Sequence, residues 1–319
     1  MKKRWANTLL SEFHSWQKVL HWYEKLGHNF YYLYLKTREF ITNKPTIVHF
    51  VYETNTQCTL KCKECHSYMP YFKSHYMVDF VTFKNEIDKL LKSVDLICSF
   101  RLQGGETLLV KDLAKIVEYA CSKKQIQHIQ IISNGTIIPS EELLKAMKNP
   151  KVSLSLSDYS ENKNITPICK HNEIIELAKQ ENINYQHTKS FGGEFWFAKP
   201  SISNNKGDDK DLALKNLKSC WCFGEPKCFI LFKGEMHICA PSVYYRMEFP
   251  EFKFPKDEVI DIMNTDTKTL TKKLKKFIDK KYYSLCSRCN ASKGVNERFK
   301  PGEQLSEVHA ESNPAIYQN

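Results

Sequence analysis

The chain has 319 residues, of which 42% are hydrophobic and 26% are charged. This composition is typical of a globular protein of one or two domains and excludes a disordered or fibrous chain. No run of 18 apolar residues is present, which excludes a membrane-spanning helix, and no apolar segment follows the basic start of a possible secretory signal. We therefore expect a cytoplasmic protein, in which metal ligation explains the twelve cysteines better than disulfides do.

The net charge of +11 comes almost entirely from lysines that are scattered along the chain. Arginine, which is suited to bidentate recognition of phosphates and bases, is scarce. This pattern predicts a solvated lysine-rich surface, with a specific acidic protein partner as the second interpretation. A nucleic-acid partner is not expected.

Residues 1–44 are rich in aromatic side chains and have helical periodicity. Phe13, Trp16 and Leu20 recur at the spacing of one helix face. We expect an N-terminal helical extension that packs on the main body.

From residue 46 onward, short runs typical of strands alternate with helical segments. The strand-like runs are 47–53, 97–103, 126–133, 151–157, 183–188 and 193–198, and the helical segments are 79–94, 109–124, 139–149 and 171–182. Asp79, Ser140 and Asp112 are candidate N-terminal helix caps. Alternation of this kind predicts parallel βαβ units, here an α/β fold with about six strands that curve into an incomplete barrel. Ligands of such sheets bind at the carboxyl ends of the strands.

The composition changes after a polar segment, 199–219, which has the features of a linker. Residues 220–299 hold six of the twelve cysteines and predict a small second domain. The expected boundaries are 1–44 for the helical extension, 45–212 for the core, 213–299 for the second domain and 300–319 for a loose tail.

Three cysteines lie in the loop that follows the first strand, with the spacing C-x3-C-x2-C over Cys58, Cys62 and Cys65. Three thiolates can hold a zinc ion if a fourth ligand such as His66 completes the tetrahedron. They can also hold a four-iron cluster in which one iron stays open to another ligand. The spacing alone leaves both possibilities open.

In its position after strand one and before the first core helix, this segment resembles the signature of the radical S-adenosylmethionine (SAM) enzymes. The resemblance implies that Cys58, Cys62 and Cys65 bind a [4Fe–4S] cluster whose fourth iron binds SAM. Reduction of the cluster would then cleave SAM to a 5′-deoxyadenosyl radical. One departure is Glu64, since the family commonly has an aromatic residue there, so adenine packing is expected from Tyr68 or another ring.

The ends of the next three strands carry polar residues that fit the same resemblance. Gly104, Gly105 and Glu106 resemble the GGE motif that binds the amino group of SAM. Ser133 and Asn134 resemble the polar cluster near the SAM ribose. Ser157 and Asp158, after the fourth strand, are candidates for binding SAM hydroxyls or substrate, with a helix cap as the alternative.

The second group of cysteines surrounds a hairpin signal at Lys233-Gly234. Its chelating pair is Cys286 and Cys289, and from spacing alone structural zinc is as reasonable as a cluster. The arrangement resembles the auxiliary-cluster region of radical SAM proteins in its shorter "twitch" form. That resemblance implies a second [4Fe–4S] cluster on Cys239, Cys286, Cys289 and Cys222, with Cys220 and Cys228 as alternatives to Cys222. Cys98, Cys121 and Cys169 are expected in the core.

The expected architecture is thus a partial (β/α)6 radical SAM barrel with an N-terminal helical extension and a small α+β twitch-like domain. The resemblance implies a dehydrogenase-type oxidoreductase acting on a sugar-like or aminocyclitol-like small molecule, with the auxiliary cluster as electron acceptor and a flavodoxin-like or ferredoxin-like electron donor. A peptide-maturing or protein-maturing enzyme is the first alternative, and a zinc-stabilised nucleic-acid-binding protein is an alternative of another class. The general base is unassigned among His66, His75, Asp158, Tyr159, His187 and Lys189.

Overall fold

The computed structural model describes residues 17–188, 195–203, 208–220, 227–290 and 297–305, with only the backbone described for 17–29. The helices are α1 Gln17–Thr42, α2 Phe80–Leu91, α3 Leu113–Ser122, α4 Glu141–Met147, α5 His171–Gln180, α6 Lys210–Ser219, α7 Ala240–Glu248 and α8 Thr267–Ile278. The strands are β1 Thr46–Glu53, β2 Leu96–Gln103, β3 Ile126–Ser133, β4 Val152–Ser157, β5 Asn184–Thr188, β6 Trp196–Phe197, β7 Cys228–Phe232, β8 Glu235–His237, β9 Ile260–Asp261 and β10 Arg298–Phe299.

One eight-stranded sheet organises the fold, in the order β5-β4-β3-β2-β1-β7-β8-β9. Strands β1 to β5 are parallel, which confirms the α/β prediction. The sixth parallel strand is β7, which pairs with β1. The sequence-based choice for that strand, 193–198, was wrong in its described part, because β6 pairs with β10 in a separate two-stranded sheet.

Two of the three side chains predicted to cap helices make capping hydrogen bonds. Asp79 accepts a hydrogen bond from the backbone of Thr82, and Ser140 accepts one from Leu143. Asp112 holds the N-cap position of α3 as predicted, but its side chain makes no capping hydrogen bond there. Its carboxylate instead accepts from the backbone N–H of Phe80 at 3.2 Å and so joins the starts of α2 and α3.

The segment expected to be a second domain continues the main sheet. β7 and β8 form the predicted hairpin, with positive φ at both Lys233 and Gly234, as a two-residue primed turn requires. The polar segment 199–219 is not a simple linker, because its second half forms α6. The side chain of Asn216 in α6 donates to the carbonyls of Cys286 and Cys289 at 2.8 and 3.1 Å.

Helix α1 packs on the main body, as expected for the N-terminal extension. The Tyr31 hydroxyl donates to Gln127 at 2.7 Å, and Arg38 forms a forked ion pair with Asp95 at 2.7 and 3.1 Å. The first 16 residues of the predicted extension lie outside the described residues. No described helix is long and apolar enough to cross a membrane.

The start of the predicted loose tail is ordered against the core. The backbone N–H of Lys63 donates to Glu303, and that of Leu305 donates to Lys61, at 2.7 and 2.8 Å. Residues 300–305 therefore do not form a loose tail, and 306–319 lie outside the described residues. The cause is backbone pairing at long sequence separation, which side-chain patterning does not reveal.

One buried carboxylate fixes the segment that carries Cys286. Glu258 is fully buried and accepts from the backbone N–H groups of Ser284 and Leu285 at 2.6 and 3.0 Å. It also forms an ion pair with Lys280 at 2.8 Å. Three donors thus converge on a single side chain.

Replacing Glu258 by Gln should lower the free energy of unfolding of the metal-free chain by about 2–3 kcal/mol. The reason is that the NH2 group of glutamine cannot accept the hydrogen bonds that one carboxylate oxygen of Glu258 now accepts. Urea denaturation measures the change. Glu251→Gln, at an exposed position, is the matched control. Equal midpoints for the two variants would contradict a structural role for Glu258.

Candidate active site

The loop after β1 brings Cys58, Cys62 and Cys65 into one cluster. All three pack in a small apolar group that includes Leu60 and Tyr159. Burial raises the pKa of each thiol, that of Cys65 to about 12, and the neighbouring cysteines raise the pKa of Cys62 and Cys65 further. A bound cation would stabilise the thiolate forms of these three side chains.

The donor set therefore fits a three-thiolate iron–sulfur cluster. The alternative of a zinc ion on the same loop with His66 gains no support, because the His66 ring nitrogen contacts the carbonyl of Phe197 at 3.1 Å. Among the described residues, no group of three or more His, Cys, Asp and Glu side chains has the geometry to hold a single metal ion.

The two glycines at the end of β2 allow close packing of two loops. A Cβ atom at Gly105 would lie 1.8 Å from the carbonyl oxygen of Gln57, and one at Gly104 would lie 2.6 Å from that of Asn55. The backbone N–H of Glu106 donates to Gln57 at 2.8 Å. In the described structure, the glycines thus bring the strand end against the cysteine loop.

Glu106 and Asn134 tie the ends of β2 and β3 to this loop. The fully buried carboxylate of Glu106 accepts from the backbone N–H of Asn134 at 2.7 Å and of Leu108 at 3.0 Å. The amide of Asn134 donates to the Thr59 hydroxyl at 3.0 Å and to Cys58 Sγ at 3.5 Å. The hydroxyl of Ser133 accepts from the backbone of Gly135 at 3.0 Å. The candidate residues on three successive elements therefore form one connected network.

At the end of β4 the structure brings three of the candidate general bases together with His171, which sequence reasoning missed. The backbone of Ser160 donates to Asp158 at 2.8 Å, while His187 lies 3.8 Å from the same carboxylate oxygen. The ring centroids of His187 and His171 are 4.7 Å apart, and His171 stacks on Tyr159 at 6.2 Å. Because Tyr159 is buried beside Cys62, this cluster borders the cysteine loop.

The face of the sheet that lies opposite the helices is unusually polar. The outer face carries apolar residues such as Phe50 and Phe100, which pack against Phe83 of α2. The strand registers place the following side chains together on the opposite face: His49, Ser99 and His128 in one row, and Arg101, Gln130 and Ser153 in the next. Parallel strands covered on both faces are normally apolar on both, so this inner face indicates a polar ligand.

Glu53 lies at the top of this inner face, in register with Gln103. The side chain is 2% exposed, and neither carboxylate oxygen has a hydrogen-bond partner among the described residues. Burial raises the pKa of Glu53 to about 8, and the nearby Ser67 hydroxyl, which does not meet hydrogen-bonding geometry, offsets only part of that rise. Sequence reasoning overlooked Glu53, although a carboxylate at the last position of an apolar strand is a signal.

Four cysteines of the second half line one small cavity. Cys220 follows α6, Cys239 precedes α7, and Cys286 and Cys289 occupy a 3₁₀ turn and its end. Apolar neighbours such as Ile202, Pro241 and Leu285 complete the lining. Burial raises the pKa of Cys239, and the proximity of the other three thiols raises it further.

The three candidates for the fourth ligand of this group are distinguished in part. Cys220 lines the cavity, whereas Cys228 is buried in β7 in register with His49 and is not among the lining residues. Cys222 lies outside the described residues. The described residues therefore bring together Cys220, Cys239, Cys286 and Cys289.

Tyr68 connects the two cysteine groups. It lies three residues after Cys65, has a left-handed backbone with φ of 59°, and its ring stacks on Tyr244 with a centroid distance of 4.4 Å. Burial raises its pKa, and the nearby Tyr245, Cys289 and Cys239 raise it further. In the described structure, the ring that was expected to pack on adenine packs on Tyr244.

Part of the chain that includes this site matches a known family model. Residues 52–191 match the model of the radical SAM superfamily. The match supports a radical SAM domain. It begins within β1 and extends past β5, so it includes the three-cysteine loop and the polar strand ends described above.

Two curated proteins resemble part of this chain. One is an S-adenosylmethionine-dependent nucleotide dehydratase of Selenomonas ruminantium, 27% identical over 146 residues, which are 41% of this chain and 52% of the relative. The other is a GTP 3′,8-cyclase of Clostridium acetobutylicum, 30% identical over 126 residues, which are 38% of each protein. The chain thus spans about half or less of the length of these relatives.

Among solved structures, BtrN in complex with AdoMet and 2-DOIA superimposes with a TM-score of 0.46. The two chains are 17% identical, and the superposition covers 77% of this chain and 94% of BtrN. The native anSMEcpe structure with bound AdoMet gives a TM-score of 0.47 at 14% identity, over 81% of this chain and 94% of the other.

The raised pKa of Glu53 predicts a pH dependence of stability. The folded chain holds this proton up to about pH 8, whereas an unfolded chain releases it near the usual value of 4.5. The contribution of Glu53 to stability should therefore fall as the pH rises from about 4.5 to 8. Glu53→Gln should remove this loss, so that the variant gains stability over the parent at pH 8.5 but not at pH 5.

Thermal unfolding of the metal-free chains at the two pH values measures this difference. Glu181→Gln, which changes a carboxylate that lies 40% exposed, should give no such gain. A Glu53→Gln variant with the same pH profile as the parent would show that the carboxylate is not buried in solution.

Proposed function

We propose that this protein is a radical SAM enzyme that abstracts hydrogen from a polar small molecule, most simply a sugar-like or aminocyclitol-like substrate, and oxidises it by two electrons. The observation that carries the proposal is the connected network of Cys58, Glu106 and Asn134 at the ends of adjacent parallel strands. Cys58, Cys62 and Cys65 would hold a [4Fe–4S] cluster. When bound, that cluster and SAM together supply a 5′-deoxyadenosyl radical.

The chain's own residues would hold and orient these groups. Asn134 donates to Cys58 Sγ, which orients that sulfur for binding iron. Glu106 fixes the backbone of Asn134 and Leu108, so it shapes the strand ends that SAM would contact. The proposed SAM contacts are Gly104, Gly105, Glu106, Ser133, Asn134, Ser157 and Asp158.

The polar inner face of the sheet supports a polar substrate. It supplies hydroxyl, amide and imidazole groups, and the unpartnered carboxylate of Glu53 suits a hydroxyl or an ammonium group of the substrate. Both curated relatives are named for nucleotides or for GTP, which are also polar small molecules. His187, whose ring lies 3.8 Å from the carboxylate of Asp158, is the proposed proton acceptor.

The second cysteine group supports an auxiliary [4Fe–4S] cluster on Cys220, Cys239, Cys286 and Cys289. A cluster with four protein thiolates has no open iron, so its proposed task is to accept one electron from the substrate. The other electron leaves with the hydrogen atom. A flavodoxin-like or ferredoxin-like protein is the proposed electron donor for SAM cleavage.

Anaerobic reconstitution with iron and sulfide tests the main proposal. We expect a brown protein with about eight irons per chain, since two four-iron clusters are proposed, and formation of 5′-deoxyadenosine from SAM after reduction with dithionite. Cys62→Ala should abolish SAM cleavage, whereas Cys121→Ala, outside both groups, should retain it. A colourless chain with two zinc ions and no iron would refute the proposal.

The auxiliary cluster has a separate test. Cys286→Ala combined with Cys289→Ala should lower the iron content to about half while SAM cleavage persists, because the first cluster keeps its own ligands. Cys220→Ala should also lose the auxiliary cluster, whereas Cys228→Ala should keep it. Unchanged iron in the double variant would show that this group holds no cluster.

A further inference from the structure

A segment from the far end of the chain covers the first cysteine loop. We call residues 297–305 the strap. Its β10 pairs with β6, and Gln304 forms a β-bridge with Cys62. Backbone hydrogen bonds on both sides, from Lys63 to Glu303 and from Leu305 to Lys61, hold this pairing in register. The strap therefore fixes the loop at the middle cysteine of the motif.

The strap reaches this position through a sharp bend. Gly302 has φ of 68°, and a Cβ atom there would lie 2.8 Å from the ring of Tyr159. The preceding carbonyl, of Pro301, accepts from the buried amide of Asn162 at 2.8 Å. A glycine and a buried amide thus direct the chain toward Cys62.

The side-chain amide of Gln304 has its orientation fixed by its partners. Its Oε1 must be the oxygen, because it accepts from the backbone N–H of Lys61 at 2.7 Å. The side-chain nitrogen of Gln304 then carries two N–H groups, each of which can donate one hydrogen bond. One donates to the carbonyl of Gly302 at 2.6 Å, and the other points to Cys62 Sγ at 3.6 Å.

We propose that Gln304 is a positioning residue of the first cluster, whose N–H group stabilises the sulfur of Cys62 and favours the reduced state. This inference rests on the proposed function, since it needs a cluster on Cys58, Cys62 and Cys65. Reduction adds an electron from the external donor to the cluster, and the negative charge on its sulfurs increases. A hydrogen bond to a ligand sulfur therefore stabilises the reduced form more than the oxidised form.

The contact between Gln304 and Cys62 is distinctive because its donor lies far away in the sequence. Cys58 Sγ accepts from Leu60 and from Asn134, which belong to its own loop and to the end of β3. The donor to Cys62 comes from 242 residues away in the sequence. Docking of the strap and the ease of cluster reduction are thereby linked.

The experiment compares two variants at this position. Gln304→Glu can still accept from the backbone of Lys61, but it loses the N–H group and brings a negative charge near the sulfur. Gln304→Leu loses both contacts. The matched control is Glu303→Gln, at a neighbouring side chain that is 45% exposed and whose carboxylate lies 4.0 Å from Lys63.

Redox titration followed by electron paramagnetic resonance gives the midpoint potential of the cluster. It is run on full-length reconstituted chains that also carry Cys286→Ala and Cys289→Ala, so that only the first cluster contributes. We expect Gln304→Leu to shift the reduction equilibrium about three- to tenfold toward the oxidised form, where tenfold corresponds to about 59 mV for one electron. Gln304→Glu should shift it further, and Glu303→Gln should leave it unchanged.

Hydrogen exchange on the metal-free chains separates structure from electrostatics. The Lys61 amide should lose protection in Gln304→Leu and keep it in Gln304→Glu, because only the latter retains an acceptor. A midpoint potential that is equal in the parent and in Gln304→Glu would overturn the role of Gln304. Iron that survives Cys62→Ala undiminished would instead refute the proposed function, so the two failures are distinguishable.

Discussion

The site depends on the close approach of two backbones. A Cβ atom on residue 105 would lie only 1.8 Å from the carbonyl oxygen of Gln57, so any side chain larger than hydrogen would displace the cysteine loop. The approach allows Glu106 to reach the end of β3 and allows Asn134 to reach Cys58. The network that joins these three elements therefore depends on the absence of a side chain at residue 105. The buried carboxylate of Glu106 completes the network.

The two faces of the sheet differ in their role: the outer face stabilises the fold, and the inner face carries polar residues of the candidate site. The outer face packs Tyr52, Phe83 and Phe100 against one another with centroid distances between 4.9 and 6.3 Å, which gives the apolar burial that a fold of this size needs. The inner face is buried but polar, and such groups reduce stability unless they are hydrogen-bonded. His128 and Ser153, with a contact of 3.0 Å, satisfy one such pair. Glu53 accepts no hydrogen bond from the described residues, so its burial reduces stability.

Local patterns in the sequence predicted much of this fold. The periodicity of residues 47–53, 97–103 and 126–133 placed three central strands within a residue of their observed bounds, because apolar outer faces must repeat every second residue. Asp79 and Ser140 were found as caps because capping acts within four residues. The positions of Cys58 and Glu106 at neighbouring strand ends followed from parallel pairing.

What the sequence did not predict depends on contacts between distant segments. The partner of β1 could equally have come from 193–198 or from 228–232, since both are short and apolar, and backbone pairing alone decides between them. The same applies to the strap, where Gln304 has no local feature that distinguishes it from a surface glutamine. Cys220 and Cys222 fit the same spacing; the fold shows that Cys220 lines the cavity with the other three cysteines, and Cys222 lies outside the described residues.

The place of β7 in the sheet has a consequence for how the chain can be divided. Because β7 pairs with β1, the first strand of the parallel sheet is flanked on one side by residues from the C-terminal half. A fragment that ended before residue 228 would leave the backbone of β1 as an open edge, which invites pairing with other chains. The residues that match the radical SAM model therefore share one sheet with strands from the C-terminal half of the chain.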